Sequence, residues 1–131
     1  MDWITIEQVN KAARESHKAA LAMTKKHWEQ LCTATKQEII DAYKNGLVSI
    51  QSAFCALCIR YYDWFSVRER CNECPLSSDT FHGTCCKEWK EAARFYNPEK
   101  GRLWKYRKFQ KRAKIMYKKI CSIEEKQNGK R

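Results

Sequence analysis

The sequence predicts a mainly α fold: a small helical domain built around a central cysteine-rich metal knuckle. Three observations carry that prediction. Glycine and proline number only four and two in 131 residues, so few turns are marked and long helices are expected. Apolar residues recur at spacings of three and four toward both ends of the chain, the period of one helix face. Between those regions, "CALCIRYYDWFSVRERCNECPLSSDTFHGTCCKEW" packs six of the eight cysteines into the stretch from Cys55 to Trp89.

A chain of 131 residues is most simply one domain. It divides into N-terminal helices over 1–50, a metal-binding knuckle over 51–96, and a basic C-terminal helix with its tail over 97–131. Such a length can bury a core without metal as its only support. Its ordinary apolar content and plentiful aromatics argue against disorder.

The first helix is expected over 5–33. Thr5 and Gln8 form a capping-box pattern, and Ile6, Val9, Ala13, Ser16, Ala20, Met23, His27 and Leu31 trace one face. A second helix follows over 35–45, with Thr35 and Glu38 as its box, Ile39, Ile40 and Tyr43 on its buried side, and Gly46 as a left-handed stop. Residues 47–54 read either as a short helix or as an extended lead-in to the first cysteine pair. "SVRE" at 66–69 is a third capping-box pattern that can start a short helix, and residues 88–96 read as helical. "NPEKG" at 97–101 is a break in which Asn97 caps and Pro98 suits a first helical position. A long helix then runs from Leu103 to about Ile123. Its apolar stripe is Tyr106, Phe109, Ala113, Met116, Ile120 and Ile123, and the tail beyond it is expected to fray.

The opening residues show no basic segment followed by an apolar run, so they do not read as a signal peptide. No window supplies the ~18 apolar residues that a membrane span needs. No membrane partner is expected, and the expected compartment is the cytoplasm. Thiols there stay reduced, and clustered cysteines more often bind metal than pair with each other. Cys55-x2-Cys58 and Cys71-x2-Cys74 can together close a tetrahedral shell of four thiolates, so Cys55, Cys58, Cys71 and Cys74 are the expected ligands of Zn2+. His82, Cys85 and Cys86 are the substitutes for a member of that set. Cys74-Pro75 matches the Cys-Pro of iron–sulfur proteins, which makes a cluster the alternative cofactor. Cys32 and Cys121 fall on predicted helices far from the cluster and read as small buried hydrophobes.

The order "CALC", "CNECPL", a cysteine after "FHGT", then "EWKEA" resembles a group of small cysteine-rich proteins encoded by tailed bacteriophages. The resemblance covers about residues 50–95. It implies a metal-binding accessory protein acting in the cytoplasm of the bacterial host, and no particular reaction. The chain departs from that pattern by doubling the last cysteine and by its basic final helix.

Charge is distributed unevenly. Residues 1–99 hold 13 Lys and Arg against 13 Asp and Glu, whereas residues 100–131 hold 13 Lys and Arg against Glu124 and Glu125 alone. The whole net charge of +11 therefore sits in the C-terminal segment. That asymmetry points to a polyanionic partner, nucleic acid (DNA or RNA) or a ribonucleoprotein, with an acidic protein as the alternative. The residues expected to meet phosphates are Arg102, Lys105, Arg107, Lys108, Lys111, Arg112, Lys114, Lys118 and Lys119. Trp104 lies off the apolar stripe and is the expected ring for stacking on a base. His17, His27 and His82 are scattered, and no phosphate loop, HExxH or deaminase signature occurs, so no enzyme is expected.

The cysteine reading has a direct check. Cys58→Ser and Cys74→Ser should each release the metal, expose apolar surface and lower solubility, and elemental analysis of the purified chain should give zinc. A clean preparation holding neither zinc nor iron would remove the knuckle.

Overall fold

The computed structural model describes residues 2–50, 54–61 and 87–128. Among them every regular element is helical: α1 (Ile6–Glu15), α2 (His17–Thr33), α3 (Lys36–Lys44), α4 (Ala56–Tyr61), α5 (Lys87–Arg94), a 3-10 helix (Pro98–Leu103) and α6 (Tyr106–Asn128). The mainly α class is the one the sequence predicts. The helix expected to start at "SVRE" lies outside the described residues, as does most of the expected knuckle.

The first two capping boxes form as read. Thr5 Oγ1 accepts from the Gln8 N–H at 3.2 Å while Gln8 Oε1 accepts from the Thr5 N–H at 2.9 Å. Thr35 and Glu38 repeat the exchange at 3.1 and 2.9 Å. The hydrogen bond from the Thr35 N–H holds the Glu38 carboxyl below the usual carboxylate range. Gly46 follows α3 at φ +68°, the left-handed stop that favours glycine. Residues 47–50 carry no helix and bury Val48 and Ile50, so that part of the ambiguous segment is the lead-in rather than a helix.

The single N-terminal helix expected over 5–33 is instead two. Ser16 is extended at φ −169° and ψ 165°, and its hydroxyl accepts from the Ala19 N–H at 3.0 Å. Serine can bond the backbone as a cap, and here that option wins over helix continuation. The bend lets α1 fold back along α2 and bury Val9, Ala12 and Ala13. The C-terminal helix also starts later than expected. Gly101, at φ 55° and ψ −128°, kinks the 3-10 segment, and the α-helix begins only at Tyr106. It then continues through the expected frayed tail to Asn128.

The core is the junction of α2 with α6, joined by α1, α4 and α5. Phe109, Ala113, Met116 and Ile120 are 0–1% exposed and share one core with Leu21, Trp28 and Leu31 of α2. Polar ties show that the two helices run antiparallel. The Lys25 ammonium lies 2.7 Å from Glu124, Tyr117 donates to Glu29 at 3.3 Å, and the Gln110 amide donates to the Cys32 carbonyl at 3.2 Å. Burial pushes the Cys32 thiol up to about 12, so it stays protonated and packs as a small apolar group, as read from the sequence. No helix among the described residues is long and apolar enough to cross a membrane.

His27 is the polar exception in this core. It is 2% exposed, lies edge-on to Trp28 at 5.6 Å, stacks at 6.1 Å on Phe54, and its Nδ1 finds no partner among the described residues. Burial lowers its pKa to about 4, so the folded chain holds it neutral. The unfolded chain takes up that proton at the ordinary value of 6.5, and stability tied to His27 is therefore lost as pH falls from 6.5 toward 4. The loss should reach about 3 kcal/mol at the acid end. Urea unfolding of the wild type and His27→Phe across pH 7.5 to 4.5 should show the wild type losing more, and parallel pH profiles would refute the assignment.

Candidate functional site

Of the expected metal ligands, the first pair falls among the described residues. Cys55 is 5% exposed and directly precedes α4, its carbonyl accepting from the Ile59 N–H at 3.0 Å. Cys58 is the third residue of α4. The Cys-x2-Cys spacing thus lies across the first turn of a helix that is held from two sides. Arg60 donates to the Ala13 carbonyl of α1 at 2.9 Å, and the Leu57 N–H approaches Thr24 of α2 at 3.4 Å. Cys71, Cys74, His82, Cys85 and Cys86 lie outside the described residues. Among the described residues no three metal-ligating side chains converge.

The basic segment is described almost completely. In α6 the buried row Phe109, Ala113, Met116, Ile120 has a counterpart on the opposite side: Arg107, Lys111, Lys114 and Lys118 are all exposed and are spaced 4, 3 and 4. At 3.6 residues per turn these form one outward row about 16 Å long. Arg102 and Lys105, just ahead of α6, and Lys108 on its flank are exposed as well. Arg112 and Lys119, seven residues apart and so on the same side of the helix, are half-buried. Lys119 pairs with Glu88 of α5 at 2.7 Å. Burial alone would raise the Glu88 carboxyl, but the hydrogen bond and charge of Lys119 outweigh it and hold it below the usual range. Lys119 is thereby a strut between helices, and Glu124, one of the two C-terminal acids, is held by Lys25 away from the basic row.

Trp104 requires a correction. Expected as an exposed ring, it is 4% exposed and its Nε1 donates to the Phe95 carbonyl at 2.5 Å. Ring centroids of Tyr96, Tyr106 and Phe109 lie 5.9, 5.4 and 5.5 Å away, so the indole closes the end of the core. The expectation rested on the helical wheel, but Trp104 precedes α6, where the wheel does not apply. The half-buried ring set beside the cations is instead Phe95, with Arg94 and Lys108 at 5.8 and 6.0 Å from its centroid. Its distance in sequence from the basic run concealed it.

Reasoning from sequence also missed Lys36. This residue opens α3, and its ammonium donates to the Arg102 carbonyl at 2.7 Å, bringing the start of α3 against the start of α6. A cavity of about 420 Å³ lies there, lined by Lys36, Trp104, Lys105, Tyr106, Arg107 and Lys108. The Tyr106 hydroxyl is turned away to donate to the Ala34 carbonyl. No signal in the sequence links positions 36 and 105, because the contact is made by the fold.

The burial of Trp104 can be checked by truncation. Trp104→Ala should cost about 3–5 kcal/mol in urea unfolding, as for other buried aromatics. A cost near that of a surface substitution, within about 0.5 kcal/mol, would return the ring to the solvent.

No protein-family model, curated protein or solved structure matches this chain.

Proposed function

We propose that this chain is a phage-like accessory protein that binds Zn2+ through its cysteine region and nucleic acid through α6, without enzymatic activity. The observation that carries the nucleic-acid reading is the outward row Arg107, Lys111, Lys114 and Lys118, set opposite the buried face of a helix held to α2 and α5 by ion pairs. A rigid row of this kind presents its charges without the ordering cost that a mobile tail would meet on binding. Each phosphate neutralised releases counterions, and a row about 16 Å long covers several phosphates along a strand. The side chains in the row make point contacts with phosphate, so the expected binding tolerates sequence.

The zinc reading is supported by the paired Cys-x2-Cys spacing, and by the placement of the first pair across one turn of α4. A structural Zn2+ would close a shell of thiolates and tie the middle of the chain to the α1–α2 face that carries α4. The resemblance to phage-encoded cysteine-rich proteins supports the accessory role and a place in the host cytoplasm.

A second reading, an adaptor or inhibitor docking on an acidic protein of the host, is favoured by one observation. Leu103 and Ile115 are 76% and 41% exposed among these cations, and apolar side chains of that kind suit a protein interface better than a phosphate backbone.

Binding to generic DNA and RNA across a salt series separates the two. Nucleic-acid binding should show log affinity falling against log salt with a slope of about −4 or steeper. Replacing Arg107, Lys111, Lys114 and Lys118 by Gln should flatten that slope by about 3 while leaving the melting temperature nearly unchanged. Absence of binding to either polymer at low salt would end the nucleic-acid reading. A stoichiometric protein partner that withstands nuclease would support the second.

A further inference from the structure

We propose that the cavity between the start of α3 and the start of α6 is a phosphomonoester site, taking the terminal phosphate of a nucleic-acid strand whose backbone then follows the outward row of α6. The strand as the source of that phosphate rests on the nucleic-acid reading above. The affinity of the cavity for a phosphate does not.

Two separate elements contribute four basic residues to the lining of one open groove: Lys36 from α3, and Lys105, Arg107 and Lys108 from the segment that opens α6. Among the described residues none of the four forms an ion pair with a carboxylate. The first turn of α6 holds no acid, so no carboxylate there offsets the partial positive charge of the helix start. An anion seated in the groove would meet positive charge from both elements. An internal phosphodiester brings a single negative charge, whereas a phosphomonoester carries about −1.5 to −2 at pH 7 and has three acceptor oxygens. The concentration of cations matches the monoester.

The bond from Lys36 to the Arg102 carbonyl, at 2.7 Å, holds the ammonium in place and uses one of its three donors. Trp104 and Tyr106 supply apolar lining, and the Tyr106 hydroxyl is already engaged with Ala34. The volume of about 420 Å³ exceeds what a bare phosphate needs and leaves room for the sugar attached to it. Arg107 belongs both to the lining and to the outward row, so a strand whose end is seated here is delivered directly onto Lys111, Lys114 and Lys118.

The test uses the full chain and one single-stranded sequence made with a 5′-phosphate, a 3′-phosphate or hydroxyl ends, in buffer free of phosphate. One of the phosphorylated ends should bind about tenfold tighter than the hydroxyl-ended strand, the effect of charge-assisted hydrogen bonds. Lys36→Gln and, independently, Lys105→Gln should abolish that preference. Lys118→Gln, on the row but outside the cavity, should weaken all strands alike and keep the preference. Inorganic phosphate at millimolar concentration should compete with the phosphorylated strand and shift the amide resonances of residues 105–108. Equal affinity for every end, together with no response to inorganic phosphate, would overturn the proposal and leave the nucleic-acid reading standing. Phosphate binding that depends on Lys36 but is accompanied by no strand binding would overturn the strand as source and the nucleic-acid reading with it, while the anion site would stand.

Discussion

Everything described in this protein depends on the antiparallel seam between α2 and α6. Phe109, Met116 and Ile120 bury essentially all their surface in the core that Leu21, Trp28 and Leu31 of α2 share. Each such side chain contributes about 1.5–3 kcal/mol on burial, more than any surface ion pair in the chain. The seam also decides orientation. Once one face of α6 is committed to α2, helical geometry sends Arg107, Lys111, Lys114 and Lys118 outward, and no further interaction is needed to present them. The ion pairs at Lys25–Glu124 and Lys119–Glu88 then limit rotation and sliding of α6. Their contribution is to register more than to stability.

At the open end of the seam the aromatic cluster of Tyr96, Trp104, Tyr106 and Phe109 performs a second task. It holds the segment ahead of α6 against α3, where Lys36 reaches the Arg102 carbonyl. Without that closure the basic residues at 102–108 would be a flexible arm. With it, Lys36, Lys105, Arg107 and Lys108 line one groove, and Arg107 continues into the outward row. The apolar core and the charged site are therefore one construction: rings on the inside of the segment set the positions of cations on the outside.

Periodicity made most of the fold legible. The stripe on α6, both N-terminal capping boxes and the left-handed stop at Gly46 depend on residues within four positions of each other, and such local physics survives in any tertiary setting. The failures have different causes, two of them local and one a contact between helices. Ser16 fits the α1–α2 stripe by spacing, yet its hydroxyl satisfies the α2 N-terminus better as a cap. Residues 124–128 of the expected frayed tail are helical, with Glu124 held by Lys25 on the opposing helix. Trp104 was misplaced because the helix had not yet begun at its position, so the wheel assigned it a false direction.

The sequence by itself determined the class of the fold, the apolar face of α6 and the concentration of the whole +11 charge in the last residues. Those properties are sums and periods, readable without knowing what lies nearby. The tertiary structure alone decided that Lys119 is a strut, that Trp104 is core, and that Lys36 joins the basic turn. Each depends on two segments far apart in the chain meeting in space, and no local pattern carries that information.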